Sequence, residues 1–196
     1  MAEWQTLNYD EIPDLTTAFT LTTEAGTDIY DKPPDTHRFD SPIVYKTSTV
    51  SEFKSLAVTV EAEWKELYDQ GGLIIIVELE HGVRKWIKSG IEYVDGTPMF
   101  SVVSKDRWAD WSLRPVSQPG DTRARLKFET HEDGALWVYL LDKDGSKSPV
   151  REITWWGEFQ KDVVIKVGVF CAKPTGQEEL KVHFSDLEVG IEGESI

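Results

Sequence analysis

Apolar and polar residues alternate with a period of two along most of the chain. In Leu56-Ala57-Val58-Thr59-Val60-Glu61-Ala62 the larger apolar side chains take every second position, as a strand buried on one face requires. The same signal recurs over residues 19–23, 42–46, 73–80, 85–94, 99–104, 123–130, 135–141, 150–155, 163–171 and 181–189. His81-Gly82, Asp95-Gly96, Asp133-Gly134 and Asp144-Gly145 separate neighbouring segments and are turn dipeptides of the kind that join antiparallel strands. No long helical segment intervenes, so a parallel β-α-β layout is disfavoured and an all-β, two-sheet antiparallel sandwich is expected. One helical turn is expected near Glu66-Leu67-Tyr68. Residues 27–39, with Pro33-Pro34 and scattered charges, read as a long loop placed to rim a binding face. Nothing marks a domain boundary, so residues 1–196 are expected to form one domain.

The segment Lys85-Trp86-Ile87-Lys88-Ser89-Gly90-Ile91-Glu92-Tyr93 places Ile87, Ile91 and Tyr93 on one face of a strand. Trp86, Lys88, Gly90 and Glu92 fall on the other. With the isoleucine face in the core, the opposite face presents an aromatic ring, a cation and a carboxylate, with a glycine leaving room between them. Such a set suits a sugar or a small carboxylate or phosphate ligand, while a solvated sheet face with an incidental Trp is the plainer alternative. Trp108, Trp111 and the pair Trp155-Trp156 are candidates to extend the surface. In regular strand only one of Trp155 and Trp156 can point into the core.

Composition narrows the partners. With 35 acidic against 21 basic residues the formal charge is −14, which repels nucleic acid and anionic membrane surfaces. The start of the chain lacks a signal-peptide pattern, and the longest compact apolar run, 73–77, is too short to span a bilayer. The lone Cys171 excludes an internal disulfide, so a reducing, cytoplasmic setting is expected.

Catalytic and metal signatures do not hold up. Glu78 and Glu80 share a spacing with the acids of sandwich glucanases, as do Glu61 and Glu63, but the third acid of that pattern is missing. His37, His81, His131 and His183 are scattered, and no Cys pairs exist. Asp142-Lys143-Asp144-Gly145 opens like a calcium loop, yet Lys147 and Ile153 stand where Gly and Glu are needed, so it reads as a hairpin turn. Cys171 ends an apolar strand with no base beside it. Neither a cofactor nor a metal is expected.

Three segments, Tyr68-Asp69-Gln70-Gly71-Gly72-Leu73, Trp86 to Tyr93 with Asp95-Gly96, and Asp110-Trp111-Ser112, follow in an order and spacing that resembles the regulation-of-enolase-like family. Lys166-Val167-Gly168 and Phe184-Ser185-Asp186-Leu187 extend the likeness over most of the chain after Phe53. Gly72 departs from the pattern, standing where alanine is usual, and so does Pro98 after the turn. The resemblance implies a concanavalin A-like jelly roll of unknown activity, closest to fungal cytoplasmic members with a regulatory role proposed toward the glycolytic enzyme enolase. On that basis the expected function is non-catalytic binding or regulation through a concave face. Gln70, at the rim, would hydrogen-bond the ligand; Trp86 would stack on it; Lys88 and Glu92 would orient its polar groups; Trp111 would extend the platform, and Arg151 would meet an acidic ligand. A carbohydrate-active hydrolase using Glu92 or Glu78, and a pure protein-interaction module with an enolase-like partner, are the alternatives.

Overall fold

The computed structural model describes residues 3–116, 118 and 120–193. Strands β1 (Gln5–Leu7), β2 (Phe19–Thr23), β3 (Ile29–Lys32), β4 (Thr36–Phe39), β5 (Ile43–Thr49), β6 (Phe53–Ala62) and β7 (Gln70–Glu78) make up the first half. They are followed by β8 (Arg84–Val94), β9 (Thr97–Lys105), β10 (Ala109–Pro115), β11 (Arg123–Thr130), β12 (Leu136–Leu141), β13 (Lys147–Ile153), β14 (Val164–Ala172) and β15 (Leu180–Ile191). A seven-stranded antiparallel sheet runs β1-β5-β14-β7-β8-β9-β10, and a six-stranded one runs β13-β12-β11-β6-β15-β2. Strands β3 and β4 form a separate two-stranded hairpin.

The inner faces of the two large sheets meet in one core. Leu73, Ile75, Val77, Ile87, Ile91, Phe100 and Val102 come from the seven-stranded sheet, and Leu56, Val58, Val60, Leu126, Phe128 and Phe184 from the other. Alternation alone dictates which residues these are, since a strand that buries one face must send every second side chain inward. The Asp95-Gly96 turn closes β8 onto β9 in two residues, both with positive φ (51° and 78°), the backbone that matches the twist of a hairpin.

Several expectations change. The segment 27–39 is no open loop: β3 and β4 pair along Ile29↔Phe39 to Lys32↔Thr36 and lie against the outer face of the seven-stranded sheet. Strands β1 and β10 also lacked a clear alternating signal; β10 is an edge strand, mostly exposed or half-exposed. Residues 66–68 form a turn rather than a helix, and the short 3-10 turns lie at Glu80–Gly82 and Thr154–Glu158. The second contains Trp155 and Trp156, so strand alternation does not govern them. Trp156 is core, whereas Trp155 packs at its margin and donates to Ser104 Oγ at 2.9 Å. Among the described residues no helix is long and apolar enough to cross a membrane.

Candidate functional site

The outer face of the seven-stranded sheet begins as the alternation requires, with Trp86, Lys88, Gly90 and Glu92 pointing away from the main core. It does not remain open. Ile29 of β3 and Phe39 of β4 close over Ile43, Tyr45, Ile74, Ile76, Trp86, Val103 and Phe170, making a second, smaller apolar cluster. Trp86 is fully buried in it, so it serves as packing under the hairpin and is no exposed stacking platform. Asp31 of β3 fastens the cover. Its carboxylate accepts from Trp86 Nε1 at 3.3 Å and pairs with Lys105 Nζ at 3.4 Å and His37 Nδ1 at 2.7 Å. His37 stacks on Trp108 at 5.5 Å, and Arg84 lies 4.0 Å over the Phe39 ring, which fixes the other side of the hairpin.

Beside this apolar cluster the same face turns polar. Register places Ile74 opposite Lys88, Gly72 opposite Gly90 and Gln70 opposite Glu92. The side chain of Lys88 therefore crosses the glycine row to reach Gln70, to whose Oε1 it donates. Gly90 does not hold ligand space open. Its row is crossed by Lys88, and the backbones approach so closely that a Cβ on Gly90 would fall 1.9 Å from Gly71 O. A Cβ on Gly72 would fall 2.0 Å from Ser89 O, so the glycine that departs from the family pattern is fixed here by contact.

The ionisable groups are deeply placed: Lys88 is 3% exposed and Glu92 6%. Asp28, from the base of the β3–β4 hairpin, lies 3.9 Å from Lys88 Nζ. Glu92 accepts from Ser101 Oγ at 2.7 Å, and Ser101 Oγ in turn accepts from Trp111 Nε1 at 3.0 Å. Loss of water pushes the Lys88 ammonium below its ordinary range, against the pull of Glu92 and Asp28. Desolvation likewise raises Glu92, against the attraction of Lys88 and the Ser101 hydrogen bond. The phenol of Tyr30 is raised by burial and then by the charges of Glu92 and Asp28, so it belongs to the same cluster. As it stands, the cleft between Lys88, Glu92, Ser101 and Phe170 is filled by these side chains and leaves no room for a ligand.

The structure thus brings together Gln70, Lys88, Glu92 and Trp111 of the expected set and separates the other two by role or place. Gln70 is not at a rim: it opens β7, is buried, and places its amide nitrogen 3.2 Å from Tyr68 O and 3.5 Å from Asp28 Oδ1. Arg151, on β13 of the other sheet, is taken up by Asp110 and by Ser112 Oγ at 2.9 Å, so its charge is already matched by the edge strand β10. Glu78 is held in its ionised form by Lys166 at 2.7 Å and Arg84 at 3.2 Å, and Glu80 is exposed in the 3-10 turn. Burial pushes the Cys171 thiol far up, which suits an inert core residue.

Sequence reasoning missed Asp28, Tyr30, Tyr68, Ser101 and the pair that sets them. Asp69, 1% exposed, binds Lys173 Nζ at 2.9 Å through one oxygen and the backbone N–H groups of Lys65 and Glu66 through the other. This fastens the turn that leads Gln70 into β7. Tyr68, just before it, has φ of 70°, costly for a bulky residue, and meets Trp111 edge to face at 6.0 Å. The signal available was the sequence Tyr68-Asp69-Gln70 itself; the partners lie far away along the chain.

Fold and site together define a jelly-roll β-sandwich with a capped ionisable cluster on one outer sheet face. The chain belongs to the family of proteins of unknown function DUF1349, whose model matches residues 8–191. An uncharacterized protein of Emericella nidulans is 42% identical over 183 residues, 93% of this chain and 90% of that protein. Regulation of enolase protein 1 of Saccharomyces cerevisiae is 33% identical over 121 residues, 62% of this chain and 58% of that protein. Among solved structures, a functionally unknown Saccharomyces cerevisiae protein superposes with a TM-score of 0.77 at 24% identity over 96% of both chains. The Bacillus licheniformis GH43 protein BlXynB gives 0.61 at 13% identity over 92% of this chain and 35% of its own. These two likenesses concern the fold.

Proposed function

We propose that this protein binds a small polar ligand without catalysis at the Lys88–Glu92 cluster, and that occupancy serves regulation of a glycolytic or carbohydrate-metabolising enzyme. The observation that carries the reading is the burial of Lys88 and Glu92 on the sheet face away from the main core. Removing charged groups from water costs several kcal/mol per ion, and an apolar replacement of similar shape is commonly as stable or more so. A cluster so costly to the fold is a reason to look for a function. The filled cleft requires that a ligand displace the Tyr68–Trp111 contact or the base of the β3–β4 hairpin to reach it. The kinship with Regulation of enolase protein 1 supports the regulatory part.

One observation favours a hydrolase as the second reading: burial shifts Glu92 upward, the direction that a general acid needs. Glu78 has the opposite tendency, its carboxylate stabilised by two cations.

A thermal-shift panel of sugars, sugar phosphates and glycolytic acids tests the proposal, since a ligand selective for the native state raises the melting temperature. A shift seen with the wild-type protein and lost in Lys88→Met and Glu92→Gln supports it. Shifts that survive both substitutions would move the ligand elsewhere, and turnover of a glycoside panel that depends on Glu92 would replace binding by hydrolysis.

A further inference from the structure

Resting on the reading of Lys88–Glu92 as a binding site, the filled cleft makes access depend on which of its two covers moves. The Tyr68–Trp111 side is tied through backbone. Tyr68 donates its N–H to Tyr93 O at 2.8 Å and its carbonyl accepts from Gln70 Nε2 at 3.2 Å. Trp111 lies in β10, which pairs with β9 from Ala109↔Lys105 to Pro115↔Met99. The β3–β4 hairpin is held differently, since its strands pair with each other and with no strand of either large sheet. It closes on itself at its base, where Asp28 N–H donates to Asp40 Oδ1 at 2.6 Å and Asp40 N–H to Asp28 O at 3.1 Å. Just outside that base the chain is anchored again. The N–H groups of Gly26 and Thr27 donate to Lys173 O at 2.8 and 3.2 Å, and Cys171 N–H donates to Pro42 O at 3.3 Å. Residues 28–40 are thus a closed unit hung between two anchored segments, and swinging it outward breaks no strand pairing of the sandwich. Two side chains cross the pivots, Arg38 to Gly26 O and Asn8 to Phe39 O at 3.1 Å, both on the surface.

What the hairpin lays on the sheet is part apolar and part acidic. Ile29 and Phe39 cover the Trp86 cluster, whereas Asp31 and Asp28 are set against donors of the sheet face. Among the described residues, Asp31 at 3.3 Å is the one hydrogen-bond acceptor of Trp86 Nε1. Lys88 Nζ carries three protons yet donates to Gln70 Oε1 alone, and meets Asp28 at 3.9 Å, beyond hydrogen-bond distance. A hydrocarbon underside would leave both donors without a partner from above. Acids there supply the oxygen atoms that water or a ligand supplies once the hairpin has swung away. The face then uncovered carries Trp86, Lys88 and Glu92 on one side of β8, a ring for the apolar side of a sugar flanked by polar groups for its hydroxyls.

We propose that the β3–β4 hairpin is a lid over the ligand site, pivoting at residues 27–28 and 40–41, and that its closed position lays Asp31 and Asp28 on donors that the ligand's oxygen atoms take in the open one. The closed form is therefore autoinhibited. Apparent affinity is reduced by the fraction of molecules that are open, so whatever loosens the lid tightens binding.

The test is labelling of the full chain carrying Ile76→Cys with iodoacetamide, read by peptide mass spectrometry. Ile76 lies opposite Trp86 in the covered cluster, and the native Cys171, fully buried in the main core, reports global unfolding in the same molecule. The introduced thiol is expected to react at least about tenfold faster than Cys171, because local opening costs less free energy than global unfolding. Phe100→Ala, in the main core, should speed Cys171 and leave the introduced thiol unchanged. Asp31→Asn should speed the introduced thiol about fivefold, the factor for one lost hydrogen-bonded tie, and tighten calorimetric binding of glucose or gluconate by the same factor. Val103→Cys, in the same covered cluster, takes the place of Ile76→Cys if that variant does not fold. Equal rates for the two thiols, rising together in Phe100→Ala, would overturn the lid. A ligand-induced thermal shift lost in Lys88→Met would then still leave the site standing, entered from the Tyr68–Trp111 side. Selective labelling with neither glucose nor gluconate bound by wild type or Asp31→Asn would uphold the lid and leave it with no sugar site beneath.

Discussion

The two faces of the seven-stranded sheet are built from the same strands and solve opposite problems. On the inner face Leu73, Ile75, Ile87, Ile91, Phe100 and Val102 pack against a second sheet, with apolar side chains in successive rows. On the outer face Ile74, Ile76 and Trp86 begin the same way under the β3–β4 hairpin. One register step further along, the rows become Gly72–Gly90 and Gln70–Glu92, and the packing becomes ionic. The inner face is stabilised by burial alone. The outer face keeps charges out of water, so its polar end has a cost to the fold that its apolar end does not share. The contrast separates residues that hold the protein together from residues the fold would be as stable without.

The largest effect should come from the inner face. Phe100 is fully buried there, and Phe100→Ala is expected to cost about 3–5 kcal/mol in urea denaturation, the usual cost of a large cavity. A loss below about 1 kcal/mol would show that the inner face is not the main source of stability. Next comes the polar end. Lys88→Met alone is expected to cost about 3 kcal/mol because it removes the cation beside buried Glu92 and half-buried Asp28, whereas Lys88→Met combined with Glu92→Leu should recover most of that loss. Additive losses in this cycle would show that the two residues do not act as one cluster.

The third effect depends on pH. Burial raises Glu92 above its ordinary 4.5, so between that value and the raised one the folded protein holds a proton that the unfolded chain has released. The contribution of this group to stability is therefore greatest in acid, falls as pH rises through that window, and is level above it. Glu92→Gln removes the fall. Its melting temperature relative to wild type should be higher at neutral pH than at about pH 4, and a difference independent of pH would contradict the raised carboxyl. The smallest effect concerns the cover: Asp31→Asn weakens the ties to Lys105 and His37 at modest global cost, about 1 kcal/mol. Hydrogen exchange over residues 29–39 should speed up while β7 and β14 stay protected; unchanged exchange would mean that apolar packing alone holds the hairpin down.

Much of the fold was legible because its signal is local. The bounds of β2 and β11 follow from alternation, the Asp95-Gly96 turn from its dipeptide, and the division of Trp86, Lys88 and Glu92 from Ile87 and Ile91 from strand geometry. Strands β3 and β4 were not legible, since a short hairpin holding Pro33-Pro34, charges and only four residues per strand resembles a loop until it has a surface to lie on. For the same reason an open aromatic platform was expected where a covered one exists.

By itself, then, the sequence determined that the chain forms an antiparallel sandwich and which side chains share a face, because a period of two needs only neighbouring residues to express itself. Whether the outer face would be open, and what Lys88 and Glu92 would meet there, only the tertiary structure decided. Asp28 and Asp31 reach Lys88 and Trp86 from the hairpin, Lys173 reaches Asp69 across 104 positions of sequence, and Trp111 meets Tyr68 from an edge strand. Burial, and with it the electrostatics of the site, depends on contacts between residues far apart in the chain, which no local pattern records.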